Sequence, residues 1–402
     1  MVVTYDFLPQ IGGAHTWLYE VYRRWDTAVQ LYTAAYPQDP AVAARARKFD
    51  SEAHGALRIV RSAHVSETLS LLDPRCLRQF AHNVADLRRL RGPGHVRLHS
   101  LRAFPEGFTS YLYAKTSLRR STLITYAHGE EIMIAKTSRQ LGFMARRVYS
   151  ASDLVIVNSE NTRGLVLDIS PDAKIVCIHP GVASKSFAIG REEASSYRQS
   201  WCWPPEAVVL CTVARMEARK NHAAVIRAVS ALRREGCPVA YVCGGDGPER
   251  PALEALARSL GVESWVRFPG PMPERDKQLI FCASDIHIMP SIQVGAMIEG
   301  FGIVFLEAAA AGKPSICGRS GGQAEAVKDG VTGIVVDGAS EAEVCASIRR
   351  LAADSDLRRA MGEAGLSWAA QHDWGHGARL VREQVASLAG NEAAGRTDRP
   401  AA

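Results

Sequence analysis

The chain has 402 residues, of which 47% are hydrophobic and 22% charged. This length exceeds one ordinary core and predicts two domains of about 150–200 residues, and the composition excludes an intrinsically disordered chain. No apolar run approaches the ~20 residues needed to cross a bilayer, and the first residues lack the pattern of a signal peptide. The nine cysteines form no Cys-x-x-Cys pair, which argues against a disulfide framework. We therefore expect a reduced, cytoplasmic protein.

The net charge of +6 is unevenly distributed along the chain. Residues 1–180 hold 23 Lys/Arg and 16 Asp/Glu, whereas the remainder holds 25 and 26. Such a split predicts an anionic partner for the first half, or else reflects an arginine-rich composition without functional meaning. No motif for reading RNA or DNA accompanies the charge, so we do not expect a nucleic-acid partner.

Short apolar runs alternate with helical patterns along the first 180 residues. The predicted strands are Val2–Tyr5, Val29–Tyr32, Leu57–Val60, Val96–Leu98, Leu123–Tyr126 and Leu154–Val157. The predicted helices include Thr16–Arg24, Arg75–Leu90, Glu106–Leu118 and Arg139–Ser150. This alternation is typical of βαβ units and a parallel sheet.

The pattern pauses around Gly181–Trp203, where Ser, Gly and polar residues collect, and then restarts. The predicted strands are Val208–Val213, Val239–Gly244, Val266–Phe268, Ile286–Met289, Pro314–Cys317 and one around Val335. The predicted helices are Asn221–Glu235, Pro248–Leu260, Asp276–Ala283 and Ile303–Ala311. We therefore predict an α/β protein with two doubly wound domains, residues 1–180 and 181–372, facing a ligand-binding cleft. The small, polar residues 391–402 predict a disordered tail.

The segment from Glu299 to Pro314 carries the most informative candidates. Gly302 opens an apolar helix that Gly312 closes, and a glycine at a helix start lets a phosphate approach the free amides of the first turn. Glu307 lies among apolar neighbours in this helix, where sugar hydroxyls would satisfy its carboxylate. Glu299 could hold a second set of hydroxyls. The competing interpretation makes Glu307 a partly exposed helix residue and Glu299 a loop charge.

Two cations follow the predicted strand Val208–Val213. Arg215 and Lys220 lie at its carboxyl end and could neutralise a diphosphate leaving group without a metal, or could be ordinary solvated charges. One Asp-x-Asp sequence, Asp354-Ser355-Asp356, has the form of a metal–diphosphate motif. Its place just before a helical pattern favours an N-cap instead, so we expect no metal site.

In the first half, two candidates follow predicted strands. Gly12-Gly13 forms either a loop for approach of a phosphate or sugar, or a plain tight turn. His128 follows the strand Leu123–Tyr126, which places it at the edge of the cleft.

Several segments together resemble one known family. They are Glu299-x7-Glu307, Arg215 with Lys220, Gly244-Gly245-Asp246-Gly247-Pro248-Glu249-Arg250, Ala283-Ser284-Asp285 with Pro290-Ser291, Gly318-Arg319-Ser320-Gly321-Gly322 and Asp329-Gly330-Val331-Thr332-Gly333. This set resembles the retaining glycosyltransferases of family 4 over nearly all of residues 205–375. The first half matches more thinly, through Gly12-Gly13, His128-Gly129 and the Ala151–Ser159 strand with Asn161-Thr162.

The resemblance implies a GT-B fold, in which the second domain binds a nucleotide-sugar and the first shapes the acceptor site. It implies no cofactor and no metal. In such enzymes the last helix returns to the first domain, and residues 373–390 look like that helix. The acidic pair Glu130-Glu131 after His128-Gly129 departs from many members of the family.

Carried over by position, the resemblance implies specific roles. Arg215 and Lys220 contact the diphosphate, and Glu307 holds the ribose hydroxyls. Glu299, with the amides of Phe301, Gly302, Ile303 and Val304, holds the donor sugar and phosphate. Gly13 borders the diphosphate, and His128 approaches the hydroxymethyl edge of the sugar.

The mechanism and substrates follow as expectations from this assignment. Because the matched carboxylates are committed to hydroxyl binding, we expect front-face attack with retention rather than a covalent glycosyl intermediate. The form of the Glu299–Glu307 segment is similar to phosphatidylinositol and cell-envelope mannosyltransferases. GDP-mannose is therefore the first choice of donor and a UDP-sugar the second. The acceptor is lipid-linked or a saccharide. The alternatives are a soluble small-molecule acceptor, such as a secondary metabolite or thiol precursor, and a catalytically inactive nucleotide-sugar-binding partner.

Two arginine-flanked helical patterns bear on the acceptor. Residues 75–91 place Leu77, Phe80, Val84 and Leu87 on one face, and residues 139–149 place Leu141, Phe143, Met144 and Val148 beside Arg146-Arg147. Such stripes either dock on an anionic membrane or pack on their own sheet. With the charge of the first half, peripheral attachment to the inner face of the plasma membrane is a prediction. The oligomeric state is not predicted.

Overall fold

The computed structural model describes residues 1–9, 12–65, 69–92 and 94–394, with side chains up to residue 388. It divides into two compact units, residues 1–180 with the segment from Trp374 onward, and residues 181–373. Each unit is a parallel sheet flanked by helices, so the predicted α/β class with two Rossmann-like domains is confirmed.

The first unit is built on a seven-stranded parallel sheet with the order β3-β2-β1-β4-β5-β6-β7 among the described residues. Val2 on β1 pairs with Leu31 on one side and His99 on the other, so the first strand lies at the centre. The strands are β1 (Val2–Val3), β2 (Val29–Ala34), β3 (Leu57–Ala63), β4 (Val96–Ser100), β5 (Ser121–Ala127), β6 (Leu154–Val157) and β7 (Ile175–Cys177).

Helices connect these strands and cover the sheet. Asp39 and Asp73 cap two of them, since each side chain accepts hydrogen bonds from first-turn amides. The helices are α1 (Gly13–Tyr22), α2 (Pro40–Asp50), α3 (Pro74–Leu90), α4 (Phe108–Thr116), α5 (Glu130–Lys136), α6 (Arg139–Ala151) and α7 (Glu160–Ile169).

The second unit repeats this architecture with six described strands in the order β10-β9-β8-β11-β12-β13. The strands are β8 (Val208–Val213), β9 (Val239–Gly244), β10 (Val266–Gly270), β11 (Ile286–Met289), β12 (Ser315–Gly318) and β13 (Gly333–Val336). The helices are α8 (Arg191–Gln199), α9 (His222–Arg234), α10 (Arg250–Ser259), α11 (Glu274–Ala283), α12 (Ile303–Ala310), α13 (Gln323–Ala326), α14 (Glu341–Ala353) and α15 (Ser355–Gln371).

The structure adds elements that the sequence pattern did not predict. Helix α8 lies inside the segment Gly181–Trp203, where we expected no regular element, and β7 and α2 were also missed. Helix α8 has no fully buried residue, so its sequence carries no apolar stripe to indicate it. The predicted N-cap before α15 is confirmed, because Asp354 Oδ1 accepts the Leu357 amide at 2.8 Å.

The last helix, α16 (Trp374–Ala394), belongs to the first unit and packs against α1. Arg382 on α16 forms an ion pair with Asp26, just beyond α1. The helix extends into the predicted tail 391–402, of which residues 395–402 lie outside the described part of the chain. Among the described residues, no helix combines the length and apolar character that a membrane span requires.

Candidate functional site

The loop after β8 carries Arg215, and the Gly-Gly-Asp-Gly segment holds that loop in place. The Met216 amide donates to Asp246 O at 2.9 Å, and the Glu249 amide donates to Met216 O at 3.0 Å. A Cβ on Gly247 would lie 2.5 Å from Met216 O, so only glycine fits this close backbone approach. The motif therefore shapes the loop that presents Arg215.

Five charged side chains of alternating sign form one chain at this loop. Arg215 Nη1 lies 3.1 Å from Glu217 Oε1, and Glu217 Oε2 lies 3.1 Å from Arg219 Nε. Arg219 Nη1 donates to Glu299 Oε2 at 2.9 Å, and Lys220 Nζ donates to the same oxygen. The chain begins at a side chain that is 66% exposed, that of Arg215, and ends at one that is 10% exposed, that of Lys220.

The charges around Glu299 keep it ionised although its side chain is only 12% exposed. Burial by itself would raise the pKa of Glu299, but Lys220 and Arg219 outweigh burial and hold that pKa below its ordinary value. All its side-chain ion pairs use Oε2, and Oε1 accepts no hydrogen bond from the residues that the structure describes. The network carries three cations and two carboxylates, which leaves a net positive charge for an anion.

Helix α12 begins beside this network, as predicted. Its N-cap Gly302 has φ +88°, and a Cβ there would lie 2.6 Å from the Phe305 ring, so a side chain is excluded on two grounds. Phe301 is buried, whereas Ile303 and Val304 are half-buried, and first-turn amides have no partner within a helix. Ile303 and Val304 lie in this first turn, and Phe301 precedes the N-cap Gly302.

Glu307 lies on the same helix and is not a loosely solvated residue. Its carboxylate is 12% exposed, and Lys277 Nζ donates to its Oε1 at 2.6 Å. Lys277 belongs to α11 and also lies 2.9 Å from Glu274 Oε1. Glu299 and Glu307 are therefore both paired with cations of the second unit.

In the first unit, Gly13 is the first residue of α1 and is exposed. We predicted a helix starting at Thr16, so the helix begins three residues earlier and includes the second glycine. Gly12 is its N-cap, and the first amides of a helix have no partner within the helix itself.

His128 follows β5 as predicted, and its ring is fixed by two contacts. Its Nε2–H donates to Leu101 O at 2.9 Å, and the ring packs edge-on against Trp17 with centroids 5.6 Å apart. Burial, followed by the nearby Arg102, lowers the pKa of His128 to about 3. The imidazole is therefore neutral at pH 7, and its Nδ1 is a hydrogen-bond acceptor.

The acidic pair after His128 divides into one buried and one exposed residue. Glu131 is buried, and its Oε1 accepts the His128 amide at 2.8 Å, whereas Glu130 is exposed. Glu131, one of the two acidic residues that depart from the family pattern, therefore makes a structural contact at the start of α5.

A second polar cluster in the first unit was not predicted from the sequence. Asp6 Oδ1 lies 2.9 Å from His15 Nε2, and Asp6 Oδ2 accepts from Arg102 at 3.4 Å. Burial would raise the pKa of Asp6, but His15 and Arg102 outweigh it and lower that pKa to about 2. Glu106 is completely buried, and burial raises its pKa to about 7. These residues follow β1 and β4, at the same end of the sheet as His128.

Three charged residues of the second-unit site were not predicted from the sequence: Glu217, Arg219 and Lys277. Arg219 adjoins Lys220 in the chain, and this double cation was the available signal. Lys277 follows Glu274 by three residues, a spacing that indicates a helical ion pair but not its partner Glu307. Chemically, the site offers exposed and buried cations, the start of a helix and two carboxylates held by cations, a set suited to a diphosphate with attached hydroxyl groups.

The chain is similar to several known proteins. The family model described as glycosyl transferases group 1 matches residues 194–368. The GDP-mannose-dependent alpha-(1-6)-phosphatidylinositol monomannoside mannosyltransferase of Mycolicibacterium smegmatis is 30% identical over 393 residues, 95% of this chain and 97% of that protein. The D-inositol 3-phosphate glycosyltransferase of Corynebacterium urealyticum is 33% identical over 256 residues, 60% of this chain and 58% of that protein.

Solved structures share the fold of the whole chain. The Anabaena protein HepE, solved in complex with UDP and glucose, superposes with a TM-score of 0.77. The match covers 96% of this chain and 99% of that one at 19% sequence identity.

Proposed function

We propose that this chain, which belongs to the group 1 glycosyl transferases, transfers mannose from GDP-mannose to a lipid-linked acceptor. The acceptor class that we favour is a glycolipid with an inositol phosphate head group, used in envelope or polysaccharide biosynthesis. A UDP-sugar is the second choice of donor. The observation that carries the proposal is a full-length similarity, over 95% of this chain, to a mannosyltransferase named for GDP-mannose and a phosphatidylinositol mannoside.

The second-unit site supports a role in donor binding. Arg215 is exposed and able to turn toward a diphosphate, while the amides at the start of α12 supply donors for its oxygens. Glu307 accepts the ribose hydroxyls, and Glu299 accepts sugar hydroxyls through Oε1. Two cations beside the phosphates support a reaction that needs no divalent metal.

The charged network also supports a front-face reaction with retention. Glu299 is held by Arg219 and Lys220 and is committed to hydrogen bonding rather than to attack on the anomeric carbon. The bond between the anomeric carbon and the β-phosphate oxygen breaks first, and its electron pair leaves with GDP. The acceptor oxygen forms its new bond on the same face, and its proton passes to the departing phosphate oxygen. Lys220 and Arg215 stabilise the charge that develops on that phosphate.

The first unit supports the binding of sugar and acceptor. His128 is neutral and presents Nδ1 as an acceptor for a sugar hydroxyl, while its Nε2–H remains bonded to Leu101 O. Gly13 opens α1, whose first amides have no partner within the helix and face this end of the sheet in the proposal. These features agree with hydroxyl recognition rather than with a positively charged catalytic histidine.

The surface of the first unit supports a membrane-bound acceptor. Most of the predicted apolar stripes on α3 and α6 pack inside the unit, but Leu77 and Phe143 remain 50% and 47% exposed. Leu72, just before α3, is 83% exposed, and the neighbouring Leu71 amide donates to Gln140 on α6 at 2.9 Å. We call Leu72, Leu77 and Phe143 the apolar patch. Exposed arginines accompany it at positions 75, 78, 139, 146 and 147.

This combination of apolar and cationic side chains suits an anionic lipid surface. We propose that the apolar patch inserts between lipid head groups while the arginines bind their phosphates. The protein then works peripherally on the inner face of the plasma membrane.

A transfer assay tests the proposed function. Purified protein is incubated with GDP-mannose, UDP-glucose or UDP-N-acetylglucosamine and vesicles that contain phosphatidylinositol monomannoside. We expect a mannosylated lipid from GDP-mannose alone, with α configuration by NMR and unchanged yield in EDTA. Transfer from a UDP-sugar instead would make that nucleotide-sugar the donor. Loss of the reaction in EDTA would refute metal independence, and a product with β configuration would refute retention. Absence of transfer and of donor hydrolysis with every donor would favour an inactive nucleotide-sugar-binding partner.

A soluble acceptor is the second candidate function, and one observation favours it. The relative from Corynebacterium urealyticum is a D-inositol 3-phosphate glycosyltransferase and is 33% identical to this chain. The same assay with inositol phosphate in place of vesicles separates the candidates. Transfer to free inositol phosphate without transfer to the lipid would establish the soluble acceptor.

A further inference from the structure

The ion pair between Lys277 and Glu307 joins two helices of the second unit. Lys277 lies on α11 and Glu307 on α12, and Nζ donates to Oε1 at 2.6 Å. The lysine side chain is 19% exposed and the glutamate side chain 12%. Burial opposes the lysine charge, but Glu307 and Glu274 outweigh it and raise the pKa of Lys277. The ammonium group is therefore a permanent charge at this carboxylate.

The two oxygens of the Glu307 carboxylate differ in their surroundings. Oε1 is bound by Lys277, whereas Oε2 accepts no hydrogen bond from the residues that the structure describes. A glutamate on a helix surface otherwise samples several rotamers, and fixing one costs conformational entropy. An ion pair on Oε1 supplies that order before a ligand binds and leaves Oε2 open.

We propose that Lys277 is a positioning residue that orients Glu307 so that Oε2 accepts the ribose hydroxyls of the nucleotide. This inference rests on the proposed function, because it requires that a nucleotide binds at α12.

A binding cycle separates this role from direct contact between Lys277 and the nucleotide. Calorimetry measures the dissociation constants of GDP and of 2′,3′-dideoxy-GDP for the wild type and for Lys277→Met, Glu307→Gln and Glu274→Gln. We expect Lys277→Met and Glu307→Gln to weaken GDP binding about tenfold. Both variants should bind the dideoxy nucleotide within about twofold of the wild type, because that ligand lacks the hydroxyls.

Glu274→Gln is the matched control. The Glu274 side chain is 66% exposed. The substitution removes this partner of Lys277 and retains the ion pair between Lys277 and Glu307. We expect it to bind both nucleotides as the wild type does. Lys277→Arg, which keeps the charge, should recover part of the GDP affinity. Thermal unfolding shows whether Lys277→Met folds, and Lys277→Gln replaces it if it does not.

The remaining outcomes distinguish failure of this inference from failure of the proposed function. An equal loss of both nucleotides in Lys277→Met would show a direct contact and overturn the positioning role, as would no loss at all. A wild type that binds GDP and dideoxy-GDP equally would overturn the ribose contact while nucleotide binding stands. If UDP binds in place of GDP, the same measurements are made with UDP and 2′,3′-dideoxy-UDP. Binding of neither nucleotide would refute the proposed function and this inference together.

Discussion

Arg219 Nη1 lies 2.9 Å from Glu299 Oε2, the same oxygen that Lys220 contacts. Because two cations share this oxygen, Glu299 keeps a partner if Lys220 turns toward a phosphate. Arg219 is itself held by Glu217, at 3.1 Å from its Nε. In the proposed mechanism, Arg219 therefore orients the carboxylate while Lys220 acts on the leaving group.

We predict that Arg219→Met lowers kcat/KM for sugar transfer about tenfold, because Glu299 loses its fixed partner. Arg219→Lys should recover part of the loss. Steady-state kinetics with varied donor measure the effect. Arg349→Gln is the control, since it removes an exposed arginine of the same unit that is paired with Glu235. Activity of Arg219→Met within twofold of the wild type would contradict this role.

Lys220→Ala removes a cation that we assign to the departing phosphate. Losing one such donor typically costs about 2.7–4 kcal/mol of transition-state stabilisation, so we expect kcat to fall by about 100-fold or more. Single-turnover kinetics at saturating donor report the chemical step, and thermal shift with GDP shows that the site still folds. An unchanged kcat would remove Lys220 from the mechanism.

Local sequence patterns predict much of the fold because parallel sheets require recurrent apolar strands. The runs Leu154–Val157 and Val208–Val213 predict strands with the bounds that β6 and β8 have. Helix α8 escapes prediction because it buries no residue completely and so lacks periodicity. Strand β7 was not predicted because it has only three residues, too few to show a pattern.

The candidate site divides in the same way. The glycine before α12 and the cations after β8 occupy local positions that chain order reveals, so Gly302, Arg215 and Lys220 were predicted. The partners of these residues were not, because Arg219 meets Glu299 across 80 positions of the sequence. No local spacing encodes a contact that the assembled sheet creates.

We predict that His128→Gln lowers kcat/KM about tenfold while the variant remains folded. The glutamine amide nitrogen takes the place of Nε2 and keeps the bond to Leu101 O, but the Nδ1 acceptor is lost. In the wild type, the pKa of about 3 keeps the imidazole neutral, so its NMR signals should not titrate between pH 5 and 8. An imidazole that titrates near pH 6.5, or wild-type kinetics of His128→Gln, would contradict this assignment.

The stability of the second unit should fall in mild acid. Burial, followed by Lys220, lowers the pKa of His287 to about 3 and that of His222 to about 4, against an unfolded value of about 6.5. Both imidazoles are neutral in the folded state, so their contribution is complete above pH 6.5 and is lost as the pH falls toward the folded values. In that window, each imidazole lowers the free energy of unfolding by about 1.4 kcal/mol for every unit of pH decrease.

Urea unfolding at pH 7.5 and 5.5 measures this loss. A brief hydrogen-exchange pulse at one fixed pH reports the second unit through the β11 peptide. His287→Asn retains a partner for Ser315, whose hydroxyl lies 3.1 Å from His287 Nδ1, and should show a shallower pH dependence. Equal stability of the wild type at both pH values would refute the prediction.

The apolar patch makes its own prediction for the membrane. Leu77→Ser with Phe143→Ser should greatly reduce flotation with vesicles of anionic phospholipid, because each change removes an insertable side chain. Arg147 lies over the Phe143 ring with its guanidinium carbon 5.2 Å from the centroid, so Phe143→Ser also removes this contact of the arginine. Leu118→Ser is the control, since Leu118 is fully exposed in the same unit and outside the patch. Transfer to a lipid acceptor should fall in parallel with flotation, whereas GDP binding should not change. Attachment through this surface would be contradicted if only the control lost flotation. It would also be contradicted if the wild type did not float with anionic vesicles.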